Sequence, residues 1–196
     1  MSDGGGYLGN AKLKKVGVEI SFTEEQAKEF LKCSEDPVYF IKTYVKIVNV
    51  DKGLINFDMW PFQEEMVRTY YENRFCIAKM PRQVGKTTTT VGFMLWSILF
   101  QDDYSIAILA NKGSLAREIL GRIQYAYEYL PLWMQQGIII WNKGNIELEN
   151  KSKIAAFATS ASGVRGGTYN LIFLDEFAFV PKNMADEFFT STYPVI

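Results

Sequence analysis

The chain has 196 residues, of which 48% are hydrophobic and 22% charged, and its formal net charge is −1. These values are typical of one globular domain with a sizeable core, and they exclude both a largely disordered chain and DNA binding through a strongly basic surface alone. The sequence has no histidine, which excludes imidazole acid–base catalysis and imidazole metal ligands, and its two cysteines lack metal-ligand spacing.

The N-terminal residues 1–15 are rich in glycine and lysine and are predicted to form a flexible arm. They lack the apolar stretch of a signal peptide. The longest apolar run, residues 91–100, is too short to span a bilayer. We therefore expect a cytoplasmic protein without membrane contact, whose cysteines are free thiols.

Residues 16–55 are predicted to form a small helical N-terminal segment. Thr23 and Gln26 have the spacing of a capping box, so a helix is expected to begin there and to continue toward Cys33. A second helix is expected at Pro37, because apolar residues recur at helical spacing after it.

Residues 56–196 are predicted to form an α/β domain, in which a helix from Pro61 is followed by alternating strands and helices. The predicted strands are residues 75–79, 104–110, 138–141, 146–148, 154–158 and 171–174, and the predicted helices are residues 86–100 and 114–130. The sequence NKGN at residues 142–145 is typical of a hairpin turn. Near-continuous apolar strands that alternate with helices predict a mostly parallel sheet with helices on both faces.

The most specific motif is MPRQVGKT at residues 80–87, between a predicted strand and a predicted helix. This is the context of a P-loop, whose backbone N–H groups bind phosphate at the positive end of a helix. Lys86 is expected to reach the β- and γ-phosphates, and the Thr87 hydroxyl to join the shell of Mg²⁺. Met80 stands where the usual motif has its first glycine. The nucleotide-binding residues predicted in this loop are Arg82, Gln83, Val84, Gly85, Lys86, Thr87 and Thr88.

A second motif places two carboxylates directly after an apolar strand. Since residues 171–174 are apolar, Asp175 is expected to emerge at the carboxyl end of the sheet, where open α/β sheets bind ligands. Asp175 is predicted to bind Mg²⁺ through water, and Glu176 to polarise the attacking water as a general base. Together the two motifs predict an ATPase site.

Five separated segments, in the same order, resemble the large subunits of tailed-phage terminases. They are RQVGKTT at residues 82–88, LANKGS at 109–114, WNKGNIEL at 141–148, VRG at 164–166 and DEFAFVP at 175–181. The likeness runs from about residue 58 to the end of the sequence, and that family also has phosphate loops without the first glycine. The resemblance implies an ASCE-type P-loop NTPase fold that uses ATP and Mg²⁺ to drive double-stranded DNA into a phage procapsid.

The resemblance also implies roles for residues outside the two motifs. Phe62 and Gln63 fall in the family's adenine-binding segment, where the ring is expected to stack on the base and the amide to read its edge. Arg82 is expected to sense the γ-phosphate within its own subunit. Arg165, in a glycine-flanked loop, is expected to act as an arginine finger toward a neighbouring subunit.

The resemblance further implies partners for the protein. The family's large subunit works as a homo-oligomeric ring on the portal protein of the procapsid, with the small terminase subunit as a partner, in the cytoplasm of the infected bacterium. The sequence does not identify DNA-contacting residues, and the loop lysines Lys112 and Lys143 are more simply explained as solvated surface side chains. The sequence ends at Ile196 without the expected Ser/Thr-rich coupling motif and without the acidic cluster of a nuclease. We therefore expect an incomplete ATPase domain that binds nucleotide better than it hydrolyses it.

Two other interpretations remain open from the sequence. A superfamily-2-like helicase or translocase fragment shares the glutamine motif, the phosphate loop and the Asp-Glu pair, although Phe177 and Ala178 depart from its usual acidic motif. The other is a non-catalytic nucleotide-binding assembly module whose partner completes the site. Binding of nucleotide without turnover favours this module.

Overall fold

A computed structural model describes residues 6–49, 51–159 and 167–180, together with residues 182, 186 and 190. Near the N-terminus, β1 (Gly6–Tyr7) and β2 (Asn10–Lys14) pair antiparallel. Leu13 is buried in the main core, and the Lys14 N–H donates a hydrogen bond of 2.9 Å to Gln135 Oε1. The prediction of a flexible arm is therefore wrong for residues 6–15, because long-range contacts order this segment.

The next segment consists of two helices and a hairpin. α1 (Glu24–Glu35) begins with the predicted capping box, and α2 (Pro37–Tyr44) begins with proline in its first turn. β3 (Lys46–Asn49) and β4 (Gly53–Asn56) then pair antiparallel. The predicted helical segment is thus helical only as far as α2.

Three further helices follow, namely α3 (Pro61–Glu72), α4 (Lys86–Phe100) and α5 (Gly113–Glu128). Every side chain of residues 89–99 in α4 is buried, so α4 is a core helix rather than an amphipathic surface helix. α4 packs against α2, α3 and α5. No helix in the described ranges is long and apolar enough to cross a membrane.

The main sheet has five strands among the described residues, in the order β6-β7-β8-β5-β9. Their bounds are β5 (Ser105–Ala110), β6 (Ile138–Trp141), β7 (Asn145–Leu148), β8 (Lys153–Ala158) and β9 (Leu171–Leu174). β5 pairs in parallel with β8 and β9, whereas β7 pairs antiparallel with β6 and β8. The sheet is therefore mixed and not mostly parallel, because the β6–β7 hairpin reverses the chain at one edge.

Residues 75–79, which were predicted to form a strand, are not a strand in this structure. They are exposed, and Ile77 has an exposed fraction of 97%. β9 pairs with β5 on one side, and within the described ranges no strand pairs with residues 76–79 or with the other side of β9. An apolar run becomes a strand only where a neighbour supplies its backbone hydrogen bonds, which explains the difference.

Candidate functional site

The loop of residues 80–85 leads directly into α4. Gln83 and Gly85 both adopt left-handed backbone conformations, with φ of +64° and +78°, and Gly85 is the N-cap of α4. Turns of this kind bring successive backbone N–H groups into a concave anion-binding surface, and the helix dipole reinforces it. Met80 is not in the left-handed region, so its backbone does not require the glycine of the usual motif.

Lys86 folds back over this loop. Its Nζ donates hydrogen bonds to the backbone oxygens of Met80, at 3.2 Å, and Pro81, at 2.9 Å. Met80 thus contributes a carbonyl that any residue would supply. The ammonium group lies on the loop itself, where a bound anion can replace these two carbonyls as its hydrogen-bond acceptor.

The threonines that follow Lys86 differ in their hydrogen bonds. Thr89 Oγ1 donates to the Gly85 oxygen and Thr90 Oγ1 to the Lys86 oxygen, each at 3.0 Å. In the described part of the chain, no residue bonds the hydroxyls of Thr87 or Thr88. The Thr87 hydroxyl, at the start of α4, is therefore available to an incoming ligand.

The acidic pair lies at the carboxyl end of β9. The Asp175 N–H donates to the Leu109 oxygen at 2.9 Å, so the pairing with β5 extends one residue beyond β9. Asp175 is half-buried, whereas Glu176 is exposed in a left-handed conformation with φ of +50°. Asp175 therefore emerges at the end of the sheet as predicted.

The charges around Asp175 connect the two motifs. Burial raises the pKa of Asp175 and the neighbouring Glu176 raises it further, while Lys86 and Arg122 lower it. Lys86 is thus close enough to Asp175 to act on its ionisation. The loop lysine and the strand-end carboxylate, far apart in sequence, are therefore near enough to interact electrostatically.

Arg122 and Glu118 are neighbours of this site that the sequence did not single out. They form an ion pair of 2.7 Å on α5, and both act on the pKa of Asp175. Their spacing is that of an ordinary surface pair on a helix. Only the packing of α5 against β5 shows that this pair lies near Asp175.

The predicted adenine-binding residues lie at the start of α3. The Phe62 side chain has an exposed fraction of 38%, whereas that of Gln63 is 3%. Gln63 Oε1 accepts from the Trp60 N–H at 2.9 Å, and Gln63 Nε2 donates to the Val84 oxygen at 2.9 Å. Both polar atoms of the Gln63 amide therefore have backbone partners, and one of these partners belongs to the phosphate loop.

The remaining predicted residues are distributed as follows. Arg82 is exposed on the loop, and none of the ion pairs found among the described residues includes it. Lys112 and Lys143 are exposed, Lys112 at the N-terminus of α5 and Lys143 in the β6–β7 turn. Arg165 lies outside the described residues, so its role as an arginine finger stays a prediction.

Comparison with known proteins identifies the family. The sequence model of the family described as "Terminase large subunit, T4likevirus-type, N-terminal" matches residues 77–192, which is more than half of the chain. The chain belongs to the terminase large subunit family. This membership favours the terminase interpretation over the helicase one.

The fold of this terminase chain also resembles a solved structure, the crystal structure of the HK97 bacteriophage large terminase. The TM-score is 0.65 and the sequence identity 18%, and the match covers 82% of this chain and 35% of that one. At this identity the likeness establishes the fold. The terminase chain described here spans about a third of the length of that protein.

Proposed function

We propose that this chain is an ATP-binding unit of a phage DNA-packaging motor, which hydrolyses ATP with Mg²⁺ to drive double-stranded DNA into a procapsid. The observation that carries the proposal is the position of Lys86 on the phosphate loop and within electrostatic reach of Asp175. A lysine at a helix N-terminus beside a carboxylate at a strand end is the arrangement that P-loop ATPases use. Membership in the terminase family supports the assignment to DNA packaging.

The loop and Lys86 are proposed to hold the phosphates. Backbone N–H groups of residues 82–88 bind phosphate oxygens, assisted by the positive end of the α4 dipole. Lys86 exchanges the carbonyls of Met80 and Pro81 for oxygens of the β- and γ-phosphates, and its charge stabilises them in the transition state. Arg82, exposed on the same loop, contacts the γ-phosphate.

Thr87 and Asp175 are proposed to hold Mg²⁺, and their oxygens are the ligand type that this ion prefers. Among the described residues no group of three or more Asp, Glu or Cys side chains could hold a metal ion. Mg²⁺ bound here would take its other ligands from phosphate and water. Held by these two residues, Mg²⁺ would supply positive charge that offsets the charge of the phosphates. Glu176 orients the attacking water and accepts its proton, because it is exposed directly beside Asp175.

Further parts of the proposed motor follow from the family. The exposed ring of Phe62 stacks on the base, and Arg165 completes the site of a neighbouring subunit in a homo-oligomeric ring. The proposed partners are the portal protein of the procapsid, the small terminase subunit and DNA, in the cytoplasm of the infected bacterium. If Arg165→Ala leaves ATP hydrolysis by the assembled motor unchanged, the role of Arg165 is refuted.

One observation favours the second candidate function, a module that binds nucleotide without turnover. Residues 76–79 enter the phosphate loop, yet they pair with no strand among the described residues, and Ile77 is exposed. When the residues before the loop are not paired in a sheet, the loop holds its catalytic groups less rigidly. This lowers the rate of hydrolysis more than the affinity for nucleotide. We therefore expect this chain to bind ATP more effectively than it hydrolyses it.

The decisive experiment compares ATP binding and hydrolysis with Mg²⁺ in the wild type, Lys86→Ala and Glu176→Gln, with Lys143→Ala as a surface-lysine control. The proposal requires Lys86→Ala to lose binding, and Glu176→Gln to keep binding while losing whatever turnover the wild type has. Unchanged binding in Lys86→Ala contradicts it. Binding without turnover in the wild type favours the non-catalytic module, and strong turnover excludes that module.

A further inference from the structure

Gln63 lies where its amide acts on the backbone of the phosphate loop. It occupies the third position of α3, has an exposed fraction of 3%, and accepts a hydrogen bond from the Trp60 N–H. Its Nε2 donates at 2.9 Å to the oxygen of Val84, which lies 21 positions further along the chain. The same amide therefore fixes the start of α3 and holds the loop.

The hydrogen bond to Val84 determines the direction of the next N–H group. All described peptide bonds are trans, and in a trans peptide the C=O and the following N–H point in opposite directions. Because the Val84 C=O points at Gln63, the Gly85 N–H points away from α3. Within the described ranges, no residue accepts a hydrogen bond from this N–H.

The residue at position 85 is matched to this contact. A Cβ on Gly85 would lie 2.6 Å from Gln63 Nε2, which is closer than such contacts occur, and φ of +78° is itself unfavourable for other residues. Glycine at position 85 is thus favoured by its conformation, and a Cβ there would displace the Gln63 amide from the Val84 carbonyl. The glutamine, the carbonyl and the glycine form one packed unit.

We infer that Gln63 is a positioning residue for phosphate: by holding the Val84 carbonyl, it turns the Gly85 N–H toward the phosphates. The inference rests on the proposed nucleotide site and deepens it. It assigns Gln63 to the triphosphate rather than to adenine, since the side chain is only 3% exposed and each polar atom of its amide already bonds to the backbone. Loss of this contact weakens the binding of every ligand that carries the triphosphate, whatever its base.

The test uses Gln63→Glu, with Gln26→Glu as the matched control. Glutamate has nearly the same size and accepts from the Trp60 N–H, but a carboxylate cannot donate to the Val84 carbonyl. Gln26 is the corresponding capping residue of α1, distant in sequence from the loop, so the same substitution is made without touching Val84. Affinities are measured for ATP, GTP and inorganic tripolyphosphate with Mg²⁺, and a thermal melt verifies folding.

We expect Gln63→Glu to lower the affinity for all three ligands by the same factor, about tenfold or more. The ratio of ATP to GTP affinity should be unchanged. Gln26→Glu should bind like the wild type. A loss confined to ATP overturns the inference in favour of base recognition, and unchanged affinities overturn it as well. If the wild type binds none of the three ligands, the proposed function itself has failed.

A second measurement on the wild type decides the question if Gln63→Glu does not fold. The amide resonance of Gly85 is followed by NMR while tripolyphosphate and Mg²⁺ are added. A downfield shift and slower hydrogen exchange are expected if this N–H donates to phosphate. If tripolyphosphate binds and the Gly85 resonance stays in place, the inference is wrong.

Discussion

Trp96 of α4 donates a hydrogen bond of 2.8 Å from its Nε1 to the backbone oxygen of Cys33 in α1. The indole has an exposed fraction of 3%, and the acceptor belongs to a residue with no exposed surface. This bond fastens the N-terminal helices to the helix that begins at the phosphate loop. The α1–α2 segment is therefore part of the same core as the site.

The first prediction concerns this bond. Trp96→Phe should lower the free energy of unfolding by at least about 2 kcal/mol, because it leaves the Cys33 oxygen without its donor and removes part of a buried ring. Denaturant unfolding measures the change. Trp133→Phe, at a half-buried tryptophan, should lower the free energy of unfolding by less. Equal costs in the two variants would show that the bond adds nothing.

The second prediction concerns the charge of Asp175. Burial raises the pKa of this carboxyl above its ordinary value, so the native state keeps a proton at pH values where the unfolded chain has lost it. Stability due to this group is greatest at acidic pH and falls as the pH rises through the range between the unfolded and native pKa. Asp175→Asn should therefore raise the melting temperature at neutral pH.

That gain should shrink as the pH falls toward the ordinary range of a carboxyl, because the wild-type side chain then becomes neutral as well. Melting curves without nucleotide or Mg²⁺, recorded across pH, test this dependence. Glu65→Gln, at an exposed carboxyl in α3, is the control and should change little at any pH. A lower melting temperature for Asp175→Asn at neutral pH would refute the prediction.

The third prediction contrasts two isoleucines. Ile77→Ser should change the free energy of unfolding by less than about 0.5 kcal/mol, since the side chain is 97% exposed. Ile106→Ser in β5, at a fully buried position, should cost about 3 kcal/mol or more. Denaturant unfolding of both variants provides the comparison. A similar cost at the two positions would mean that residues 75–79 are packed in the isolated chain.

The fourth prediction concerns the two thiols. Burial, together with nearby Glu29, raises the pKa of Cys33 to about 12, and the side chain has no exposed surface. Cys76 is exposed. A thiol reagent at mildly alkaline pH should therefore modify Cys76 in the folded protein and Cys33 only after unfolding. Cys76→Ser should remove all labelling of the folded state, and rapid labelling of this variant would contradict the prediction.

The sequence by itself determined the elements that depend on near neighbours. The capping box of Thr23 and Gln26 and the proline at position 37 place the starts of α1 and α2, because cap hydrogen bonds join residues within one turn. The Gly85–Lys86 start of α4 and the emergence of Asp175 after β9 also follow from local patterns. The phosphate-loop lysine and the strand-end aspartate therefore lie at the element ends where the local sequence patterns predict them.

The tertiary structure alone decided the features that depend on distant partners. Residues 75–79 have the composition of a strand but no strand pairs with residues 76–79, and Leu13 is buried through contacts with remote residues. The partner of Gln63 is a carbonyl in the phosphate loop, and Arg122 approaches Asp175 through helix packing. Strand pairing, and hydrogen bonds between side chains and remote backbone, join residues far apart in sequence. Local patterns predict which residues are able to form such bonds, and the packing of the whole chain determines which of them do.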